Sequence, residues 1–269
     1  MNTLVSPDTL TNTAETTLVE QPQKRTNRYA GSVFVLLLVA TLLNGLDSSE
    51  FTGASAVIAR DLHLSLNDIG LLASAFTLFL TISIIPVGLW ADRAKRSHII
   101  AACLAVWSLA TALTGLAGNF IGLFLTRTFT GIGEAGYGPA GNSLVGDVFQ
   151  EDQRGKVMSW LTLAGVIGPL AGMVLGGVIA GLSTSSWRLA FLITGIPGLI
   201  LALFAWKLRE PARHTTGRLP SAAAAGPLKT HYIFAQLRSL LRIKTFVCLV
   251  IIGVLTTFTA TALQTFFPI

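Results

Sequence analysis

Seven long stretches of apolar residues dominate the pattern of hydrophobic and polar positions along this 269-residue chain. Each is longer than the roughly 18 residues that distinguish a membrane-spanning helix from a helix buried in a soluble core. They lack the two-residue alternation of β-barrel strands. The pattern therefore predicts seven transmembrane helices, at residues 32–59, 68–91, 98–117, 120–146, 157–181, 187–207 and 246–268.

The composition excludes a water-soluble protein. Hydrophobic residues make up 52% of the chain and charged residues only 12%, with a mean hydropathy of +0.66, whereas soluble domains carry about 25% charged residues. Both cysteines, Cys103 and Cys248, lie inside apolar segments. The sequence thus indicates neither a disulfide framework nor a metal site, and we expect no metal and no cofactor.

Three classes of membrane protein lack their diagnostic residues here. The sequence has no His-Glu-x-x-His motif and its four histidines are scattered, which argues against a membrane-embedded metalloenzyme. It has no glycine-rich phosphate loop, which argues against ATP-driven transport. Residues 246–269 contain no lysine that could bind retinal, which argues against a seven-span photoreceptor. A transporter rather than an enzyme is the leading interpretation, and an interaction scaffold stays open.

The basic residues predict the orientation in the membrane. Sixteen of the 19 lysines and arginines lie in the N-terminal tail and in the loops after the second, fourth and sixth predicted spans. By the positive-inside rule these segments face the cytoplasm. The net charge of +6 then faces an anionic leaflet of the lipid bilayer rather than nucleic acid. The plasma (inner) membrane is the expected location.

Four segments make up the predicted organisation. Residues 1–28 are polar and have no signal-peptide core, so they predict a disordered cytoplasmic tail. Residues 29–208 hold six spans with short loops. Residues 209–245 form a basic cytoplasmic linker, in which residues 229–244 have the helical apolar spacing of an amphipathic surface helix. Residues 246–269 hold the seventh span.

Ionisable residues inside membrane spans are costly and mark functional sites. Four of them lie in the first and fourth spans: Asp47, Glu50, Arg127 and Glu134. At a rise of about 1.5 Å per residue, Asp47 and Arg127 lie at similar depths, so they can pair across a cavity. Glu50, one turn from Asp47, lines the same cavity or the outer mouth. The pair is either a structural ion pair or a proton-switched, substrate-contacting site.

Small residues predict close helix packing near these charges. Gly131 shares one face of the fourth span with Arg127 and Glu134 and leaves room beside the guanidinium. The fifth span carries a helix-packing motif that serves either a moving interface or plain packing: Gly168, Pro169 and Gly172. The loop after the second span carries a glycine, an acid and a basic cluster: Gly88, Asp92, Arg93 and Arg96.

The combination of motifs resembles the major facilitator superfamily over about residues 30–269. Residues 88–97 resemble its signature between spans 2 and 3. The motifs Arg127-x-x-x-Gly131 and Gly168-Pro169-x-x-Gly172 resemble its signatures in spans 4 and 5. At subfamily level, the segments around Asp47 and Glu134 resemble spinster-like transporters.

The resemblance implies an all-α polytopic membrane protein, the N-terminal six-helix half of a major facilitator fold plus a seventh helix. It implies a secondary transporter that couples a proton or ion gradient to alternating access, with a small organic or amphiphilic, lipid-like substrate. In spinster-like members the corresponding residues are implicated in proton coupling, which carries over to Asp47, Arg127 and Glu134. The cluster from Gly88 to Arg96 is implied as a cytoplasmic gating motif.

Departures from the family pattern leave alternatives open. Ser48 replaces the usual basic residue after Asp47, and Lys95 and Ser97 depart from the loop signature. The Gly-Pro ridge of the fifth span is most familiar from drug/proton antiporters, which makes such an antiporter the alternative function. Superfamily transporters have twelve spans, so seven imply a truncated chain that lacks its C-terminal half, needs a partner chain, or serves as a non-transporting membrane scaffold. A complete seven-span protein is the competing interpretation.

Overall fold

The structure is a computed structural model that describes the backbone of residues 8–208 and 242–266, with side chains except at 8–28, 92–93, 257–258 and 260–266. In these ranges it consists of α-helices without any strand, which confirms the predicted all-α fold class. The helices are α1 (Asp8–Asp61), α2 (Leu66–Arg93), α3 (Arg96–Thr114), α4 (Phe120–Glu134), α5 (Tyr137–Val148), α6 (Glu151–Leu182), α7 (Trp187–Lys207) and α8 (Lys244–Phe266).

The chain divides into two compact units, Met1–His214 with α1–α7 and Thr215–Ile269 with α8. Each predicted span corresponds to helical structure. Among the described residues, five segments are long and apolar enough to cross a membrane: Tyr29–Asp61, Leu66–Ala91, Arg96–Thr114, Glu151–Leu182 and Trp187–Lys207. Up to residue 241, the predicted linker and its amphipathic helix lie outside the described residues.

The fourth predicted span, residues 120–146, is two helices rather than one. α4 ends at Glu134 and α5 begins at Tyr137. Pro139 lies four residues after Ala135, where it can donate no backbone hydrogen bond and its ring would clash with the Ala135 carbonyl. The continuous apolar run concealed this interruption, which places Glu134 at the end of a helix instead of inside one.

The backbone of α1 is helical from Asp8 onward. A helix that is already nucleated in the membrane span needs to fix only one further residue for each added hydrogen bond, so its extension costs little. The disordered cytoplasmic tail expected for residues 1–28 stays a prediction.

Two apolar clusters form the core of the first unit, and α1 contributes to both. One cluster is built around Leu37, Leu104 and Trp107. The other contains Phe51 and Trp187. Asp47 and Glu50 of α1 lie between these two stretches of the helix, so these buried acids occupy the layer that separates the clusters.

Close contact between α1 and α6 brings the fifth-span glycines against the first helix. A Cβ atom built on Gly168 would lie 2.7 Å from the Leu42 carbonyl oxygen, and one on Gly172 would lie 2.8 Å from the Leu46 Cα. Gly45 of α1 faces back, with its own Cβ position 3.0 Å from the Gly168 Cα. The backbones touch because both helices carry glycine at the crossing.

A polar tie joins the end of α1 to the beginning of α7. The Trp187 indole donates a 2.9 Å hydrogen bond to Asp61, and an Arg188 Nη1 donates one of 2.6 Å to the same carboxylate oxygen. The Arg188 guanidinium also lies over the Trp187 ring, 4.4 Å from its centroid. Asp61 therefore supplies the acceptor for two donors at this end of the bundle.

We predict that Gly172→Ala lowers the free energy of unfolding by about 1–3 kcal/mol, because the added methyl group overpacks a backbone contact. The matched control is Gly155→Ala in the same helix, where a Cβ meets nothing within 4 Å. There alanine should stabilise the protein by up to about 1 kcal/mol through helix propensity. Thermal unfolding in detergent measures both. Equal effects of the two substitutions would contradict the close α1–α6 contact.

We also predict that Asp61→Ala lowers stability by about 1–3 kcal/mol, because it leaves the Trp187 and Arg188 donors without their acceptor. Asp152→Ala, at an exposed position in the first turn of α6, is the control and should change stability by less. Denaturation at low and high salt separates the ionic attraction between Arg188 and Asp61 from the hydrogen bonds to Asp61, since salt weakens only the ionic contribution. A loss no larger than that of the control would rule out the tie.

Candidate functional site

A buried ion pair lies between α1 and α4. The Arg127 Nη2 is 3.7 Å from the Asp47 Oδ1, and both side chains are only 2% exposed. This distance is longer than the roughly 2.7–2.9 Å of a direct charge-assisted hydrogen bond. The pair therefore has room to tighten or separate.

Neutral side chains supply other close contacts of Arg127. Its Nη2 donates a 3.3 Å hydrogen bond to Thr114 of α3, and its Nε has no acceptor among the described residues. The guanidinium carbon lies 5.3 Å from the centroid of the Phe51 ring and 5.4 Å from that of Phe191. Sequence analysis missed both rings. The spacing of Phe51 four residues after Asp47 could have indicated the first, but nothing local indicates Phe191.

Glu134 connects this pair to a cavity. It lines a cavity of about 430 Å³, while its Oε1 is buried and has no hydrogen-bond partner among the described residues. Its carboxylate interacts electrostatically with Asp47 and Arg127, and the Asn44 side chain lies beside it. Glu134 is thus the member of the predicted charged set that reaches the cavity.

The cavity combines apolar and neutral polar side chains. Its apolar lining includes Leu37, Leu80, Ile84, Met158 and Leu161. Its neutral polar lining includes Thr41, Asn44, Tyr137, Asn142 and Thr162. Among the lining residues that the structure describes, Glu134 is the only acidic or basic one.

Glu50 lies away from this cavity. It is fully buried, and one of its carboxylate oxygens accepts a 2.7 Å hydrogen bond from the Thr194 hydroxyl of α7. Its other oxygen, Oε1, has no partner among the described residues. Glu50 is not among the residues that line this cavity, because its carboxylate turns toward Thr194 of α7. Its expected place beside the substrate path, in the cavity or at the outer mouth, stays a prediction.

The predicted gating motif lies at the end of the bundle where α2 meets α3. Arg96 forms an ion pair with Asp147 of α5 and donates a 3.3 Å hydrogen bond to the Ser143 carbonyl. Arg154 donates a 2.8 Å hydrogen bond to the Gly146 carbonyl, so two basic residues bind the end of α5. The side chains of Asp92 and Arg93 lie outside the described residues.

The motif glycines have different surroundings. A Cβ on Gly131 would lie 3.0 Å from the Leu80 backbone nitrogen, so this glycine lets α4 approach α2. The expected room beside the guanidinium stays a prediction. A Cβ on Gly88 would meet nothing within 4 Å, so no close approach occurs there among the described residues. Pro169 lies inside α6 with its ring directed at Gly45 of α1.

Several known proteins are similar to this chain in sequence. The family model of the Major Facilitator Superfamily matches residues 37–269. A protein of Escherichia coli (strain K12) named "Probable L-galactonate transporter" is 30% identical over 84% of this chain and 50% of its own length. "Protein spinster homolog 1" of Xenopus tropicalis is 27% identical over 82% of this chain and 41% of its own length.

A solved structure gives the same result for the fold. The crystal structure of a bacterial homolog of the human lysosomal transporter Spinster, in an inward-facing and unoccupied conformation, matches with a TM-score of 0.73 and 30% identity. The match covers 88% of this chain and 54% of that one. The chain thus spans about half the length of these relatives, which are transporters rather than enzymes. It belongs to the Major Facilitator Superfamily, as its motifs predicted.

Proposed function

We propose that this chain forms the N-terminal half of a secondary transporter in which proton binding at Asp47 and Glu134 drives alternating access. The observation that carries the proposal is a charge imbalance inside the membrane. Three carboxyl groups, those of Asp47, Glu50 and Glu134, interact with the single guanidinium of Arg127. One cation neutralises one carboxylate, and further unpaired charges are too costly to bury. The cluster therefore holds protons, and their number changes with conformation.

The exposure of the two acids suggests the order of the steps. A proton arriving in the cavity first meets Glu134, which lines it. Asp47 is 1% exposed, so it receives the proton from Glu134 rather than from the cavity. When Asp47 becomes neutral, its attraction for Arg127 weakens and α1 is no longer held to α4 by charge.

In this proposal, α1 then moves against α6. Its contact with α6 brings backbone against backbone at Gly168 and Gly172, with the Pro169 ring packed against Gly45, and in this proposal α1 moves along that contact. The Glu50–Thr194 hydrogen bond links the same helix to α7. We propose that these contacts transmit the movement of α1 that follows protonation to the two ends of the bundle.

The proposal includes an orientation of the chain in the membrane and a partner for it. By the positive-inside rule, the basic loops favour a cytoplasmic N-terminus and a cytoplasmic α2–α3 end, and we propose that the Arg96–Asp147 pair acts as part of the cytoplasmic gate. The plasma membrane is the proposed location. Because the chain spans about half the length of its relatives, a second half or a partner chain would form the other wall of the cavity. A non-transporting scaffold is the outcome if no such half exists.

The cavity favours an amphiphilic organic substrate. Its apolar lining suits an acyl or aromatic group, and its hydroxyl and amide groups suit a polar head. The described lining has a carboxylate and no basic residue, which suits a neutral or cationic head better than the carboxylate of a sugar acid. That single carboxylate also favours the second candidate, a drug/proton antiporter.

A transport assay with three probes separates these substrates. The full-length protein is reconstituted in liposomes, a pH gradient is imposed, and the distribution of a lysophospholipid, ethidium and L-galactonate is followed. We expect the lysophospholipid to move. Movement of ethidium alone would favour the antiporter, and movement of L-galactonate alone would contradict the substrate class inferred from the cavity.

We predict that Asp47→Asn and Glu134→Gln each reduce gradient-driven transport by roughly tenfold or more, a loss equivalent to about 1.4 kcal/mol. Each amide keeps the shape of the side chain but cannot bind and release a proton. Substrate exchange without a gradient should persist. Asp152→Asn, at an exposed position of α6, is the matched control and should leave transport unchanged. If both site variants retain full pH-dependent transport, the proton-coupling assignment is wrong.

A further inference from the structure

We propose that Phe51 and Phe191 form an aromatic clamp that keeps Arg127 in place while Asp47 changes its protonation state. The proposal rests on the proposed function in one respect, that Asp47 binds the coupling proton. It assigns to the two phenylalanines a positioning role through Arg127. Neither ring lines the cavity that Glu134 reaches.

The first argument is the electrostatic environment of the guanidinium. A guanidinium carries five N–H donors. Among the described residues, Arg127 donates a hydrogen bond to Thr114, and its Nε has no acceptor. The charged groups that face it are all acids: Asp47 and Glu50 on α1, and Glu134 on α4. Two other side chains that contact it, Thr114 of α3 and Phe191 of α7, are uncharged. Arg127 therefore depends on groups whose charge varies.

The second argument is the placement of the rings. Their centroids are 5.3 Å and 5.4 Å from the guanidinium carbon, within the roughly 6 Å over which a ring face attracts a cation. Phe51 is 5% exposed and Phe191 is fully buried, so water does not screen the attraction. Trp187 supports Phe191 through an edge-to-face contact with centroids 6.0 Å apart.

The third argument is the arrangement along α1. Phe51 follows Asp47 by four residues, so one helix face presents both a titratable anion and a ring to the same cation. The anion disappears when Asp47 is protonated, whereas the ring quadrupole does not change. With Asp47 charged, Arg127 can offset a weaker ring contact by closing the 3.7 Å gap to the carboxylate. With Asp47 neutral, the rings are the constant attraction that remains.

The experiment weakens the ring quadrupole without changing the packing. A ring-fluorinated phenylalanine is incorporated at position 51 or 191 of the full-length protein, and the melting temperature in detergent is measured as the pH is lowered. The same residue at Phe149, which packs in the other apolar cluster, is the control. We expect a loss of several degrees that grows at low pH for Phe51 and Phe191, and no pH-dependent loss for Phe149.

Two further backgrounds make the result specific. Asp47→Asn fixes the neutral state, so the loss caused by fluorination should be large at every pH. Arg127→Met removes the cation, so the loss should disappear. Phe51→Leu should show the same dependence on background if it folds. A loss of equal size in all three backgrounds, or one that does not depend on pH in the unmodified background, would overturn the clamp.

These outcomes separate the clamp from the proposed function. If fluorination shows the expected dependence on background while Asp47→Asn retains proton-coupled transport, the clamp stands and the coupling role of Asp47 fails. If Asp47→Asn loses coupled transport while fluorination has the same effect in every background, the coupling role stands and the clamp fails.

Discussion

Burial of the Arg127 guanidinium in the layer between two apolar clusters is the constraint on which the rest of this structure depends. A cation in a membrane interior is stable only beside anions, hydrogen-bond acceptors or aromatic faces. α1 must therefore bring Asp47 and Phe51 to this cation, and α7 must bring Phe191 to it as well. The glycine contact with α6 lets α1 lie close enough to the bundle to do so.

The same constraint explains how the cavity and the charged layer are related. Pro139 ends α4 just after Glu134, and this break leaves the carboxylate at the cavity while Arg127, two turns earlier, stays buried. In a continuous fourth helix, Glu134 would lie inside the helix rather than at its end. In the proposed mechanism, the break thus separates the group that meets protons from the groups that respond to them.

Local sequence features predicted much of the fold and part of the site. Apolar length located the spans, and the cost of charge in a membrane singled out Asp47, Arg127 and Glu134. Features that depend on tertiary packing were predicted less well. Glu50 accepts a hydrogen bond from Thr194 of α7, and Gly131 lies against the α2 backbone; both contacts depend on how distant helices pack. Phe191 lies 64 positions after Arg127 in the sequence, so no local pattern could connect the two.

The central claim is that a proton binds and leaves carboxyl groups beside Arg127 when substrate is transported. Infrared difference spectroscopy on the reconstituted protein detects the carbonyl stretch of a protonated carboxyl group as substrate is added. Our account predicts a change in this band that disappears in Asp47→Asn and is reduced in Glu134→Gln. A band that never changes, or a change that survives both substitutions, would contradict it.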